Sequence, residues 1–266
     1  MDNSKLISPI SNILKNASKL ILDIYKNKDA IQSSLKEDAS PITKADKDAH
    51  LLITKELSKK FPLIPIISEE GHDENVNSDI FWLVDPLDGT KEFINQSDDF
   101  TINIALIDKQ EPVFGAIFKP VTGELYIGGK NLPAFRVQNK VKNYLKTESN
   151  ERVCIVSQSR SHSGERENEF INSLSKKFDT NKVIKAGSSI KICLVAEGKS
   201  HIYPRFGDVY QWDIAAGHAI LIASGGEITD LNMKKIIYSS SRKKKVKGFF
   251  ALSELSFWQE KLQLLQ

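Results

Sequence analysis

The chain has 266 residues, of which 40% are apolar and 27% charged, the balance of an ordinary folded protein. That length holds one large domain or two small ones with a full core, and the composition excludes collagen, a coiled coil and a disordered chain. Lysine plus arginine outnumber aspartate plus glutamate by 37 to 34, and a net charge of +3 is too small to point to a nucleic-acid groove.

Ile10, Ile13, Leu14, Ala17, Leu20, Ile21 and Ile24 recur at steps of three and four, which predicts an amphipathic helix. Ser8-Pro9 suits its start, because proline fits the first helical position. The polar stretch Glu37-Asp38-Ala39-Ser40-Pro41 reads as a loop. A second helix follows, with Ala45, Ala49, Leu52, Ile53 and Leu57 on its apolar face. Short apolar strands are predicted over residues 63–67, ending at Ser68-Glu69-Glu70, and over 80–84, stopping at Asp85-Pro86. Residues 101–107, 113–118 and 124–127, parted by turn signals at Asp108-Lys109 and Thr122-Gly123, predict an antiparallel meander. Residues 130–151 are polar and read as irregular, which places a boundary between a 1–150 half and a 151–266 half. Beyond it, strands over 152–156 and 182–185 alternate with helices over 165–178, 188–196 and 213–223. Leu255, Trp258, Leu262 and Leu265 mark a last short helix, and the whole pattern predicts a layered α/β or α+β protein.

Cys154 and Cys193 have no CxxC spacing, so neither a disulfide framework nor a zinc site is expected, but buried thiols in a reducing compartment. Met1-Asp2-Asn3-Ser4-Lys5 carries an acid and no continuous apolar run, so no secretory signal is expected. No apolar run approaches the roughly 18 residues of a membrane span. These features predict a soluble intracellular protein. The dense basic run at 242–247 reads as solvated surface.

The chemistry concentrates in Trp82-Leu83-Val84-Asp85-Pro86-Leu87-Asp88-Gly89-Thr90-Lys91. A buried strand delivers Asp85 at its end, Pro86 favours a turn that brings Asp88 back beside it, and Gly89 permits a tight backbone approach. Two carboxylates that close repel unless a cation lies between them. Oxygen-only ligands suit a hard ion, magnesium or manganese, rather than zinc. The other reading is an acidic turn between strand and helix. Glu69, at the end of the neighbouring strand, joins Asp85 and Asp88 if both strands finish at one edge; otherwise Glu69-Glu70 is surface charge. Asp213 and Asp46 each stand near a helix start, where capping is the plain alternative.

In combination, Ser68-Glu69-Glu70, Asp85-Pro86-Leu87-Asp88-Gly89-Thr90 and Trp212-Asp213 before Ala215-Ala216-Gly217 resemble the lithium-sensitive, magnesium-dependent phosphomonoesterase superfamily that includes inositol monophosphatase and fructose-1,6-bisphosphatase. One branch, the bacterial-type 3′(2′),5′-bisphosphate nucleotidases, is resembled more closely. The segments are Pro41-Ile42-Thr43-Lys44-Ala45-Asp46, Gly89-Thr90-Lys91-Glu92-Phe93-Ile94 and Phe100-Thr101-Ile102-Asn103-Ile104-Ala105-Leu106-Ile107-Asp108. Ser159-Arg160-Ser161-His162, the run from Gly187-Ser188-Ser189-Ile190-Lys191 to Gly198, and Tyr203-Pro204-Arg205-Phe206-Gly207 complete them. The match weakens after Thr229, where Asn232-Met233-Lys234-Lys235 replaces a glycine-rich turn.

The resemblance implies an α+β fold, a layered αβαβα sandwich with the site between its halves. It implies metal ligands at Glu69, Asp85, the Leu87 carbonyl, Asp88 and Asp213. Asp46 and Thr90 would orient and deprotonate the attacking water, and Glu69 counts with them as catalytic. The Gly89 and Thr90 amides, opening a helix, would bind phosphate oxygens. Lys44 lies two residues before Asp46 and its charge could act on that carboxylate. Ser188, Lys191 and Arg205 are candidates to hold a second phosphate away from the metals, arginine through paired hydrogen bonds and lysine as a point charge. The implied reaction is hydrolysis of adenosine 3′,5′-bisphosphate to AMP and phosphate, linked to sulfate assimilation, with 3′-phosphoadenylyl sulfate as a second substrate. Two or three magnesium ions are implied, manganese being the alternative, together with inhibition by lithium. Inositol monophosphatase, which shares every ligand, is the alternative activity; a metal-free phosphonucleotide-binding module conflicts with the presence of all five carboxylates and Thr90. The expected partner is a small phosphonucleotide, not nucleic acid. The expected protein is a cytoplasmic monomer or homodimer, with peripheral attachment to the inner membrane face left open.

Overall fold

The computed structural model describes residues 2–27, 33–36, 41–71, 76–161, 163–241 and 244–263. A 3₁₀ turn at Asn3–Leu6 runs into α1 (Ile7–Tyr25), whose Ile10, Ile13, Leu14, Ala17 and Ile21 are buried in one stripe. The helix starts before Ser8-Pro9, so Pro9 is its third residue; its missing N–H is one of those the first turn cannot pair in any case. Of the expected loop, residues 37–40 lie outside the described residues. Pro41 belongs to β2 (Pro41–Thr43), which pairs with β1 (Ser33–Leu35) in a small antiparallel sheet. α2 (Lys44–Lys60) then packs beside α1 through Ala45, Ala49, Ile53 and Leu57.

β3 (Ile66–Ser68) is later and shorter than predicted, because Leu63 is 92% exposed and takes no part in it. β4 (Ile80–Asp88) continues through Asp85-Pro86 instead of stopping there. Its register against the next strand shifts between Asp85 and Asp88, so Pro86 falls in an irregularity where no ladder N–H is required. After α3 (Thr90–Ile94), a single turn of helix, come β5 (Thr101–Asp108), β6 (Glu111–Lys119) and β7 (Glu124–Gly129) as the expected meander. The segment expected to be irregular adds β8 (Leu132–Gln138) and β9 (Val141–Tyr144). All four residues of β9 are exposed, and an edge strand without a buried face shows no alternation to read. The sheet runs β3-β4-β5-β6-β7-β8-β9, with only β3 and β4 parallel.

β10 (Val153–Ser159), α4 (Glu165–Leu174), β11 (Thr180–Ala186), α5 (Ile190–Ala196), β12 (Ile202–Tyr210), α6 (Gln211–Ser224), β13 (Glu227–Thr229), β14 (Lys245–Leu252) and α7 (Leu255–Gln263) follow. They form a second, five-stranded sheet in the order β11-β10-β12-β14-β13. β12, β13 and β14 were not anticipated. Proline and glycine interrupt β12, whose register shifts between Arg205 and Asp208, and β14 begins inside the basic run. Lys245 and Lys247 of that run are exposed on β14; residues 242 and 243 lie outside the described residues, as does Leu265 of the last helix.

Both sheets are apolar on two sides. On β4, Trp82 and Val84 face α1 and α2, while Phe81 and Leu83 face the layer of α5 and α6. Cys154, Val156, Phe250 and Leu252 of the second sheet face Ile171 and Leu174 of α4 and Trp258 of α7. The layers are α1/α2, the seven-stranded sheet, α5/α6, the five-stranded sheet and α4/α7: an αβαβα sandwich. α6 lies unusually close to the first sheet, since a Cβ on Gly115 would meet the Ala216 carbonyl oxygen at 2.1 Å. Cys154 and Cys193 are buried free thiols, as expected. Among the described residues no helix is long and apolar enough to cross a membrane.

Candidate active site

Two helix starts aim acids at one place. Asp46 is the third residue of α2, and its Oδ2 accepts from the Thr43 amide at 2.7 Å and the Thr43 hydroxyl at 2.5 Å. That is a capping box, which fixes the carboxylate with one oxygen and leaves Oδ1 to accept from the Thr90 hydroxyl at 3.0 Å. The same hydroxyl has the Leu87 carbonyl at 3.3 Å as its second acceptor. Asp213 holds the corresponding position in α6, its Oδ2 accepting from the Tyr210 amide at 2.9 Å. Both acids cap their helices, and Asp46 does so with Oδ2 while Oδ1 takes the Thr90 hydroxyl. The Lys44 ammonium pairs with Asp48 one turn along α2.

β3 and β4 are parallel neighbours and do end at one edge, which brings Glu69 to Asp85. Ligand oxygens of Glu69, Asp85 and Asp213 lie within 4.8 Å of one another. Asp85, 1% exposed, accepts the Leu87 amide at 3.0 Å, so the turn residue is tied to the acid before it. Burial is the largest influence on all three. It pushes Glu69 up to about 7, with Lys36 opposing the rise and Glu70 adding to it. It also holds Asp85 and Asp213 well above the carboxylate range, reinforced by their acidic neighbours. Asp46 is raised by burial too, against the hydrogen bonds from Thr43. The Lys36 ammonium reaches this cluster, 2.6 Å from Glu69 Oε1 and 2.5 Å from Glu70 Oε1. Burial alone would lower Lys36, yet the two carboxylates hold it above its ordinary value.

Asp88 is joined to the opposite wall. Its Oδ2 accepts from the Ser188 hydroxyl and the Ser189 amide, each at 2.6 Å, and from Asn103 Nδ2 at 3.4 Å. Gly89, at φ +94°, occupies the left-handed region that the step from Asp88 into α3 requires, and a Cβ there would lie 3.1 Å from the Asp99 carbonyl. Asp88, Gly89, Thr90, Leu87, Glu69, Asp85, Asp213, Ser188, Lys191 and Arg205 all line one cavity of about 390 Å³. Asp46 borders it through Thr90. Lys191 is deeper than a surface cation: it is 4% exposed, donates to the Ser188 carbonyl at 2.6 Å, and burial pulls it down to about 8. Arg205 lines this cavity and a neighbouring hollow beside Gly164 and Phe206. His162 of the sequence motif lies outside the described residues.

Sequence reading missed Lys36, Thr101 and Asn103 as site residues. Lys36 is one lysine among many and carries no signal. Thr101 and Asn103 did carry one: two polar side chains at alternate positions of an otherwise apolar strand, both buried. Thr101 Oγ1 shares hydrogen bonds with Ser188 and Ser189 at 2.5 and 2.8 Å, and Asn103 Oδ1 accepts from Ser189 at 2.9 Å. They set the loop that grips Asp88.

The donor set is all oxygen, gathers like charge in a buried place, and already draws a lysine ammonium. Those three features fit a hard divalent cation. Comparison with known proteins agrees. The model of the inositol monophosphatase family, a metal-dependent family, matches residues 2–249. The chain is similar to the 3′(2′),5′-bisphosphate nucleotidase CysQ of Buchnera aphidicola, 40% identical over 255 residues, covering 93% of each chain. It is similar also to CysQ of Salmonella typhimurium, 36% identical over 237 residues, 88% of this chain and 94% of that one. Among solved structures, CysQ from Bacteroides thetaiotaomicron superposes with a TM-score of 0.82 at 34% identity, covering 95% of this chain and 98% of that chain.

Proposed function

The chain belongs to the inositol monophosphatase family, and on that footing we propose that it is a magnesium-dependent 3′(2′),5′-bisphosphate nucleotidase. It hydrolyses adenosine 3′,5′-bisphosphate to AMP and phosphate in the cytoplasm, serving sulfate assimilation, and takes 3′-phosphoadenylyl sulfate as a second substrate. One observation supports the reading: Glu69, Asp85, Asp88, Asp213, Thr90, Lys191 and Arg205 line a single cavity, in a chain 36–40% identical to bisphosphate nucleotidases.

Glu69, Asp85, Asp213, the Leu87 carbonyl and Asp88 would hold the ions. Magnesium, when bound, polarises the phosphoryl oxygens, acidifies the attacking water and offsets charge on the leaving oxygen. Thr90 and Asp46 orient that water and take its proton, since Asp46 keeps Oδ1 towards the Thr90 hydroxyl while Oδ2 stays on Thr43. The water oxygen bonds to phosphorus, the bond to the ribose 3′ oxygen breaks, and that oxygen takes a proton from solvent water to leave as a hydroxyl. The Gly89 and Thr90 amides sit where phosphate oxygens come to rest; α3 is only five residues long, so local N–H donors matter here more than a helix dipole. Arg205 and Lys191 receive the second phosphate; both belong to the 151–266 part, which also supplies the ion ligand Asp213, while the other ion ligands belong to the 1–150 part.

The test is phosphate release from adenosine 3′,5′-bisphosphate, AMP and inositol 1-phosphate, with and without magnesium. We expect magnesium-dependent release, fastest from the bisphosphate. Arg205→Ala should weaken use of the bisphosphate by about 1.5–3 kcal/mol, the range for hydrogen bonds to charged groups, and change inositol 1-phosphate much less. Inositol 1-phosphate as the better substrate would overturn the nucleotidase assignment, and equal losses on both substrates would mark a general folding or active-site defect in the variant.

A further inference from the structure

Glu92 stands two residues after Thr90 on the short helix α3, and it is 5% exposed although it lines the site cavity. Two glycines make room for it. A Cβ on Gly187 would lie 2.9 Å from Glu92 Cγ, and one on Gly89 would lie 3.4 Å from its Oε2. The other oxygen, Oε1, accepts from the Ser161 hydroxyl, which ties the residues after β10 to α3. Glu92 also acts on Lys191: burial pulls that ammonium down, and the Asp88 and Glu92 carboxylates oppose the fall.

An acid is an unexpected lining for a cavity that receives phosphate. A carboxylate accepts hydrogen bonds only, and its charge repels a phosphate oxygen brought against it. The group of the substrate that it can face is therefore a hydroxyl. Adenosine 3′,5′-bisphosphate has a free hydroxyl on the ribose 2′ carbon, next to the carbon that carries the scissile ester. Gly89 and Thr90, whose amides are assigned the scissile phosphate, belong to the same turn as Glu92. Lys191, assigned the second phosphate, lies within its electrostatic reach. A hydroxyl held between the two phosphates meets this carboxylate.

We propose that Glu92 reads the ribose: its carboxylate accepts a hydrogen bond from the 2′-hydroxyl beside the scissile phosphate, so that the enzyme selects ribonucleotide over deoxyribonucleotide. With that hydroxyl gone, a carboxylate kept out of water loses one of its donors, and a site built to bond a hydroxyl rejects the analogue that lacks it. The proposal rests on the nucleotidase reading and adds the sugar to it.

The test is kcat/KM for adenosine 3′,5′-bisphosphate and for its 2′-deoxy analogue, in saturating magnesium, on the native chain, Glu92→Ala and Ser161→Ala. The native chain should favour the ribonucleotide by about 10- to 100-fold, the range of a hydrogen bond to a charged group. Glu92→Ala should lose about that factor on the ribonucleotide and change by about threefold or less on the deoxy analogue, so that the preference disappears. Ser161→Ala removes the tie to the residues after β10 but leaves the carboxylate, and should keep a preference of about tenfold or more. A native chain that hydrolyses both nucleotides equally fast overturns the proposal without any variant. Equal losses on the two nucleotides in Glu92→Ala overturn it as well, because Glu92 would then act through the fold. So does a preference that vanishes in Ser161→Ala. Phosphate released from inositol 1-phosphate but from neither nucleotide would bring down the nucleotidase reading, and the reading of the ribose with it.

Discussion

Helix α6 carries two ionisable side chains, one partly and one fully buried, that live under opposite conditions. Asp213, in its first turn, gathers with Glu69 and Asp85, and burial together with those neighbours holds its carboxyl well above the usual range. His218, five residues on, lies between the Tyr238 hydroxyl at 2.9 Å and Glu227 at 2.5 Å, with His218 and Tyr238 both fully buried. Burial would raise Glu227, but the hydrogen bond from His218 wins and its carboxyl lies below the ordinary value. The His218 cluster closes on itself and is complete as folded. The Asp213 cluster instead gathers three carboxylates within 4.8 Å of one another. A buried charge matched by its own chain builds structure, and one left over marks where a ligand belongs.

The largest effect comes from neutralising the unmatched cluster where it meets the opposite wall. Asp88→Asn can keep its hydrogen bonds from Ser188 and Ser189 through the amide oxygen, so the fold should survive. Turnover should fall by about 10²-fold or more, as when one major electrostatic element is removed. Near-normal turnover in saturating magnesium, from a well-folded variant, would remove Asp88 from the ligand set.

Next in size is the pair beside the cluster. Thr90→Ala and Asp46→Asn should each lower kcat by about 10²-fold, the lower range for a proton-transfer group, with KM little changed. Because the two share one hydrogen bond at 3.0 Å, the double variant should lose less than the sum of the single losses. Steady-state kinetics on the three variants decides this: a raised KM with kcat intact would make them substrate contacts.

His218→Ala attacks the matched cluster and should show the reverse pattern. Leaving Tyr238 and Glu227 without their partner should cost about 1–3 kcal/mol of stability in urea unfolding. Turnover at 25 °C should stay within about twofold. A large loss of turnover with stability intact would break the contrast between the two ends of α6.

The smallest effect is the most specific. Asp85→Asn removes one charge from the unmatched cluster while keeping an acceptor for the Leu87 amide. The metal-free variant should melt several degrees higher than the native chain, since about 1 kcal/mol moves the midpoint by roughly 2–4 °C at this size. Magnesium should stabilise the native chain and not the variant. The pH dependence carries the same sign. Glu69, Asp85 and Asp213 bind protons more tightly folded than unfolded, so their contribution to metal-free stability is fully present only below the unfolded carboxylate range. It declines as pH rises through the folded values, about 7 for Glu69. Melting curves in chelator between pH 5 and pH 8 should show that decline, and magnesium should flatten it.

Local order carried most of what could be read from the sequence. The α1 stripe, the meander of β5 to β7 and the close pair Asp85 and Asp88 are legible from neighbours a few residues apart, because side-chain periodicity and turn chemistry are short-range. Glu69 and Asp213 stand out only through the resemblance of whole motifs. The strands β8, β9, β12 and β14 were not, since pairing across a sheet can hold a polar, proline-bearing or basic segment extended without any local pattern to announce it. The site divides in the same way. Its carboxylates stand in the chain as a motif, but their mutual charge, the Thr90–Asp46 bond across 44 residues, the grip of Ser188 and Ser189 on Asp88, and the Lys36 ammonium on Glu69 exist only once distant segments meet. Residue type determined which groups can ionise or ligate. Tertiary structure decided which of those charges would be matched, because burial strength and charge partners are properties of neighbours in space rather than along the chain.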